Sequence, residues 1–457
     1  MNTSFFGEML NSITERGRAL LDRTRDRRSD TDSRSETLAE LCEELLTGRG
    51  EASGVALAEE ILAKYAALKT GPRIAFFEAL ASRFGPDRVR LDAAISAWQS
   101  APSDKTAAEI HAAAEARRQE LLRRLNLAPR GTAVLVRMRE QLLEALDHRE
   151  DLKAVDADFV HLFSSWFNRG FLVLRRIDWS TPAMILEKII RYEAVHRIRS
   201  WDDLRRRIDP PDRRCYAFFH PALLDEPLIF VEIALSRGIP DAIAPILSVQ
   251  RDGLEPDKAN TATFYSISNC QRGLAGVSFG NFLIKQVVQE ISRENPRLKT
   301  FVTLSPAPDF ARWLDGERKS ENSGALTPED RAALQGLDRQ GWWQVPQVRE
   351  PMQEPLLRAA AYYYLRAKNR RGLPQDAVAR FHLGNGARLE RLNWLADGSD
   401  NGITQSHGLM VNYLYDLDDI EKNHEAYAEG RRVVASNGVK RLMRGAAAEL
   451  VPVTVPG

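Results

Sequence analysis

Between Thr263 and Val288 the chain reads TFYSISNCQRGLAGVSFGNFLIKQVV, and this stretch limits the possible folds more than any other. Thr263, Phe264, Tyr265, Ile267 and Ser268 favour an extended strand. Phe279, Leu283, Ile284, Val287 and Ile291 then recur at helical spacing. Gly273, Gly276 and Gly280 separate the two. A glycine-rich turn that opens a helix exposes backbone N–H groups at the positive end of the helix dipole, which suits a phosphorylated ligand. The same glycines equally serve tight turns and close packing. GK[ST] is absent and GxGxxG spacing is not met, which argues against a P-loop and a dinucleotide fold.

At 457 residues the chain is too long for one ordinary core, so two or three domains are expected. A composition 44% hydrophobic and 28% charged is that of a soluble globular protein. The net charge of +1 provides no strong field to recruit nucleic acid or an anionic membrane. Cys42, Cys215 and Cys270 are far apart and form no CxxC pair, against a zinc ribbon and a secreted disulfide framework. No apolar run reaches the roughly 20 residues needed to span a bilayer, and the N-terminus lacks a secretory apolar stretch. The expected compartment is the reducing cytoplasm.

Residues 1–176 read as a helical domain, with periodic segments at 38–46, 55–68, 74–84, 89–98, 106–125, 132–146 and 156–166. Near Trp179 the pattern changes. Ser180-Thr181-Pro182 starts a helix through Tyr192, and strand-like runs follow at 214–219, 228–235, 261–268 and 298–304. Helices are expected at 279–294 and 355–367. Residues 177–457 thus form a mixed domain, and the chain as a whole is α+β. The polar stretch 315–344 reads as an insertion or lid, and 393–417 returns to the sheet.

Ser305 ends the strand TFVTLSPAPDF, where Pro306 and Pro308 stop continuation. A hydroxyl at the carboxyl end of such a strand faces the crevice where α/β sheets bind ligands. His382, in AVARFHLGNGARLERLNW, is expected half-buried at a strand or strand entrance. Its imidazole is the best acid or base near neutral pH. His220 and His407 are rivals on the same grounds, while the other five histidines read as surface or packing residues in helices. HExxH and GxSxG are both absent, so neither a zincin site nor a hydrolase elbow is expected.

Several long motifs resemble the malonyl-CoA decarboxylase family in order: FYSISNCQRGLAGVSFGNFLIKQVV, TLSPAPDF, FHLGNGARLERLNWLADGS and GLMVNYLYDLDDIEKNHEAY. The resemblance implies a helical N-terminal domain used in homo-oligomer contacts, followed by an acetyltransferase-like (GNAT) α/β catalytic domain. It implies that Ala275, Gly276, Val277, Ser278, Phe279, Gly280 and Asn281 contact malonyl-CoA. Ser305 and His382 would be the catalytic pair, with Tyr415 of NYLY a further active-site residue. Ser278 stands where the family commonly has an acidic residue, so a carboxylate at that position cannot orient the histidine here. The implied chemistry is loss of CO2 from malonyl-CoA to give acetyl-CoA, without metal or cofactor because the thioester is the electron sink. Two other readings share the CoA seat: an acyltransferase, for which no acceptor site is visible, and a silent acyl-CoA sensor, which the presence of both Ser305 and His382 argues against.

Overall fold

The computed structural model describes residues 37–48, 50–277 and 283–444. The chain divides into two compact units. The first runs to Val173 and takes in Phe219–Glu226 and Gln271–Phe279; the second holds Leu174–Phe218, Pro227–Cys270 and the chain from Gly280 onward.

The first unit is helical: α1 (Leu38–Leu45), α2 (Glu51–Ala66), α3 (Thr70–Ser82), α4 (Arg88–Ser100), α5 (Asp104–Ala114), α6 (Arg117–Asn126), α7 (Gly131–Leu146) and α8 (Lys153–Trp166). Start signals lie in the sequence. Thr37 and Ser103 each form a reciprocal capping box, and Asp87 caps α4. The single helix expected over 106–125 is instead two, α5 and α6. Glu115 and Ala116 are extended, which lets the amides of Arg117 and Arg118 donate to Gly85 O and Phe84 O. Arg118 also forms a buried ion pair with Asp158 of α8 (2.5 Å). These are tertiary bonds with no local sequence mark, and they override continuous helical periodicity.

The second unit is built on a mixed sheet, β1 (Val173–Ile177), β2 (Arg213–Phe219), β3 (Pro227–Ser236), β4 (Thr261–Asn269), β5 (Thr300–Thr303), β6 (Ser305–Pro306), β7 (Arg388–Asn393) and β8 (Met410–Leu414). The spatial order is β1-β2-β3-β4-β5-β8-β6, with β7 also on β8. β4 and β5 are parallel, joined through the glycine turn and helix α9 (Leu283–Glu294); β3–β4, β5–β8 and β7–β8 are antiparallel. The register slips between Glu232 and Ile233, leaving Tyr265 as the extra residue on β4. This is the α+β class expected from the sequence, a helical part followed by a mixed sheet with helices. Tyr265, Leu304, Met410, Ala396, Ala234 and Ile243 make one core cluster of this unit.

Residues 315–344 do not form a polar lid. Leu334 is fully buried, Trp342 packs its ring on Trp394 (centroids 5.6 Å apart), and Asp330 is buried in an ion pair with Arg358 of α10 (Gln353–Leu365). Sparse apolar anchors, too few to set a period, pin the segment while much of it stays exposed. Among the described residues no helix is long and apolar enough to cross a membrane.

Candidate active site

Side chains two apart on a strand share a face. On β5 and its continuation that rule puts Thr303 and Ser305 together, with Leu304 turned to the opposite core. On β8 and just beyond, it puts Tyr413 with Tyr415. His382 comes to this shared face from α11 (Ala377–Gly384). The helix starts at Asp376, whose Oδ1 accepts the Ala379 amide at 2.7 Å. His382 is therefore not at a strand entrance and not half-buried, as its flanking Phe381 and Leu383 suggest, but inside a capped helix and only 2% exposed. The Asp cap six residues before it was the legible sign of a helix.

The three residues expected to act together do meet. Ser305 Oγ lies 3.1 Å from His382 Nε2, and His382 Nδ1 lies 2.8 Å from the Tyr415 hydroxyl. Ser305 also donates to Thr303 Oγ1 at 2.9 Å, and that oxygen accepts the Tyr413 amide at 3.1 Å. The imidazole stacks on the Tyr413 ring, centroids 4.5 Å apart and planes 24° apart. Asn412 donates to Thr303 O (2.7 Å), tying β8 to β5 behind the site. Burial pushes His382 down to about 3 and raises the Tyr415 phenol well above its ordinary value. Both groups are therefore neutral near pH 7: a dry site whose imidazole carries a single proton. Thr303 and Tyr413 are the partners that motif reading missed, and strand alternation from Ser305 and Tyr415 was the signal that leads to them.

The rival histidines have other tasks. His220 accepts the Ala222 amide with Nδ1 (3.1 Å) and contacts Trp166 O with Nε2 (3.0 Å), fastening a turn in the first unit. His407 ends a helix in the left-handed region, φ 52°, with its ring against Trp342. His196 is not helical but sits buried in a loop, its ring near Tyr265.

The described part of the glycine turn, through Val277, lies in the first unit. Gly273 is required by packing, since a Cβ there would sit 1.9 Å from Val136 O of α7. Gly276 has φ +77°. Arg139, 2% exposed, donates to Gly273 O and Ala275 O (2.8 Å each) and pairs with Asp156 (2.8 Å). Of the residues expected to contact CoA, Ala275 and Val277 direct their amides to Arg272 O and Leu274 O, which closes the turn on itself. Ser278, Phe279, Gly280 and Asn281 lie outside the described residues.

Two family profiles match the chain: malonyl-CoA decarboxylase C-terminal domain over residues 170–452 and malonyl-CoA decarboxylase N-terminal domain over residues 84–167. A curated relative from Anser anser anser, named malonyl-CoA decarboxylase, mitochondrial, is 37% identical over 353 residues, 71% of this chain and 68% of the relative. The crystal structure of malonyl-CoA decarboxylase from Rhodopseudomonas palustris is similar at 58% identity and TM-score 0.86, over 88% of this chain and 98% of that one. That of the Agrobacterium vitis enzyme is similar at 56% identity and TM-score 0.85, over 89% and 99%.

Proposed function

Because this chain belongs to the malonyl-CoA decarboxylase family, we propose that Ser305, His382 and Tyr415 convert malonyl-CoA to acetyl-CoA and CO2 by positioning the carboxylate, stabilising an enolate and protonating it. The observation that carries this reading is the continuous contact Ser305–His382–Tyr415 inside a water-poor site.

Decarboxylation breaks the bond between the α-carbon and the carboxylate carbon. Its electron pair moves into the thioester as an enolate, CO2 leaves, and the α-carbon then takes one proton. Ser305 hydrogen-bonds the malonyl carboxylate or thioester oxygen and sets the geometry in which the breaking bond overlaps the thioester π system. Burial keeps His382 neutral. A carboxylate brought beside it favours the imidazolium, as opposite charges do at short range. The proton taken up with the substrate charges the ring, His382 gives one proton to the α-carbon, and the imidazole ends neutral. Exclusion of water keeps stray proton donors from the enolate. Tyr415 holds the far nitrogen and so fixes the ring.

The thioester is the electron sink, so we propose that no metal, biotin or nicotinamide takes part. The CoA contacts are proposed at Ala275–Asn281, homo-oligomer contacts in the helical domain, and the cytoplasm as the compartment, where the three buried free cysteines would stay reduced.

The test is incubation of purified protein with malonyl-CoA, without metal, ATP or acceptor, following acetyl-CoA and CO2. Both should appear in equal amounts. Ser305→Ala and His382→Asn should each lower kcat by about 10²–10³-fold while CoA binding stays nearly intact. Tight binding of malonyl-CoA with no product would replace this reading with the acyl-CoA sensor.

A further inference from the structure

We infer that Thr303 is a positioning residue: by accepting the Ser305 proton it keeps the His382 proton on Nε2, the nitrogen that faces Ser305. The inference rests on Ser305 and His382 as the reacting pair.

The argument is a count of protons. Ser305 has one hydroxyl proton, and it is directed to Thr303 Oγ1 at 2.9 Å. That proton cannot also bridge to His382. The contact of 3.1 Å between Ser305 Oγ and His382 Nε2 is therefore a hydrogen bond only if Nε2 carries a proton and donates it. A neutral imidazole has a single N–H, so Nδ1 is bare and accepts the Tyr415 hydroxyl at 2.8 Å. One direction runs through the whole chain: Tyr415 to His382, His382 to Ser305, Ser305 to Thr303.

Thr303 is itself held in place for this. It is fully buried behind Ser305. The Tyr413 amide donates to its Oγ1 at 3.1 Å, and Asn412 donates to its carbonyl at 2.7 Å. The same Tyr413 stacks on His382, so the residue that orients the acceptor also orients the ring.

The consequence is chemical. A serine nucleophile needs a base that accepts its proton. Here the nearest nitrogen is a donor and the serine proton points away from it. The pair is set for hydrogen-bond donation and proton delivery, not for attack on the thioester. When His382 is charged its Nε2 proton is the one already in place beside the reacting group. Without the Thr303 oxygen, the Ser305 proton would turn to Nε2, the ring would carry its proton on Nδ1, and Ser305 would gain the arrangement of a nucleophile.

The experiment compares Thr303→Val, which removes the acceptor, with Thr303→Ser, which keeps it. With ¹⁵N-histidine labelling, and His382→Asn to assign the signal, the one-bond proton coupling of His382 should sit on Nε2 in the wild type and in Thr303→Ser, and on Nδ1 in Thr303→Val. Thr303→Val should lose about tenfold in kcat with KM for malonyl-CoA changed by less than about twofold. Thr303→Ser should stay within about threefold of wild type. A Thr303→Val protein with the proton still on Nε2, or a Thr303→Ser protein as slow as Thr303→Val, would overturn the inference. Should Thr303→Val fail to fold, Thr303→Ala removes the same acceptor and gives the same readout. If Ser305→Ala and His382→Asn keep full turnover, the assignment of the pair falls, whereas the position of the proton still decides the role of Thr303.

Discussion

The imidazole of His382 lies almost flat on the ring of Tyr413, centroids 4.5 Å apart. Histidine comes from a helix and tyrosine from a strand, and their sequence neighbours give no hint of the contact. The stack sets the plane in which Nε2 reaches Ser305 and Nδ1 reaches Tyr415. The ring, not the hydroxyl, makes this contact. Tyr413→Phe should therefore keep kcat within about twofold, and Tyr413→Leu should lose about tenfold or more together with about 2–3 kcal/mol of stability. Steady-state rates and urea unfolding of both variants check this. Equal damage from Phe and Leu would assign the role to the hydroxyl.

His382 also couples stability to pH. In the unfolded chain it titrates near its ordinary value of 6.5; burial pushes it down to about 3 in the fold. Above pH 6.5 both states are neutral there and its contribution is complete. As pH falls from about 6.5 toward 3 the unfolded chain binds a proton that the fold refuses, so stability is lost at up to about 1.4 kcal/mol per pH unit. His196 and His407, both pushed down to about 4, add losses of the same sign. His382→Asn removes one of the three, so its urea midpoint should fall less steeply than that of the wild type between pH 6.5 and 4.5. Parallel slopes would show that His382 is not buried neutral.

Much of this site was legible because strands alternate and caps have chemistry. Pro306 marks Ser305 as a strand end by a local rule, whereas the pairing of Ser305 with His382 and the place of Tyr415 were legible only through the resemblance of their motifs to the malonyl-CoA decarboxylase family. The sheet around them follows from β-branched and aromatic runs at 214–219, 228–235 and 261–268. The secondary structure at His382 was hidden because AVARFHLG fits a strand edge as well as a helix until Asp376 is read as a cap. The break between α5 and α6 was hidden for a different reason: carbonyls of Phe84 and Gly85 complete it, some thirty residues upstream. The anchoring of 315–344 includes Trp342 packed on Trp394, again a contact without a period. Local chemistry is visible in a sequence, whereas a partner distant along the chain is not.

Asp376 caps the helix of His382 with one oxygen, while its Oδ2 is buried without a hydrogen bond. Burial pushes the carboxyl up to about 6. The unfolded chain ionises this group near pH 4, the fold only near pH 6. Its contribution is therefore complete below pH 4 and is lost as pH rises toward 6. At pH 7 an ionised Asp376 opposes folding. Asp376→Asn keeps the cap acceptor and removes the charge, although its amide protons need partners. A net gain of about 1–2 kcal/mol at pH 7 is expected, vanishing at pH 4. Urea unfolding at the two values measures it; a loss at both would show that the carboxylate is paired in solution.

Arg139 ties two carbonyls of the glycine turn, Gly273 O and Ala275 O, with one guanidinium nitrogen. A guanidinium can reach both and still pair with Asp156, whereas a lysine ammonium has no planar fork to do so. If the turn carries the CoA contacts, loosening it should weaken substrate binding more than chemistry. Arg139→Lys should raise KM for malonyl-CoA by about tenfold and change kcat by less than about threefold. Gly273→Ala attacks the same turn from the other side, because its Cβ would collide with Val136 O and force the backbone off α7. It should cost about 1–3 kcal/mol of stability and raise KM in the same way. Calorimetric titration with CoA separates the outcomes. Weaker CoA binding in both variants assigns the turn to the substrate, and unchanged affinity in both, with stability lost, leaves the glycines a packing role alone.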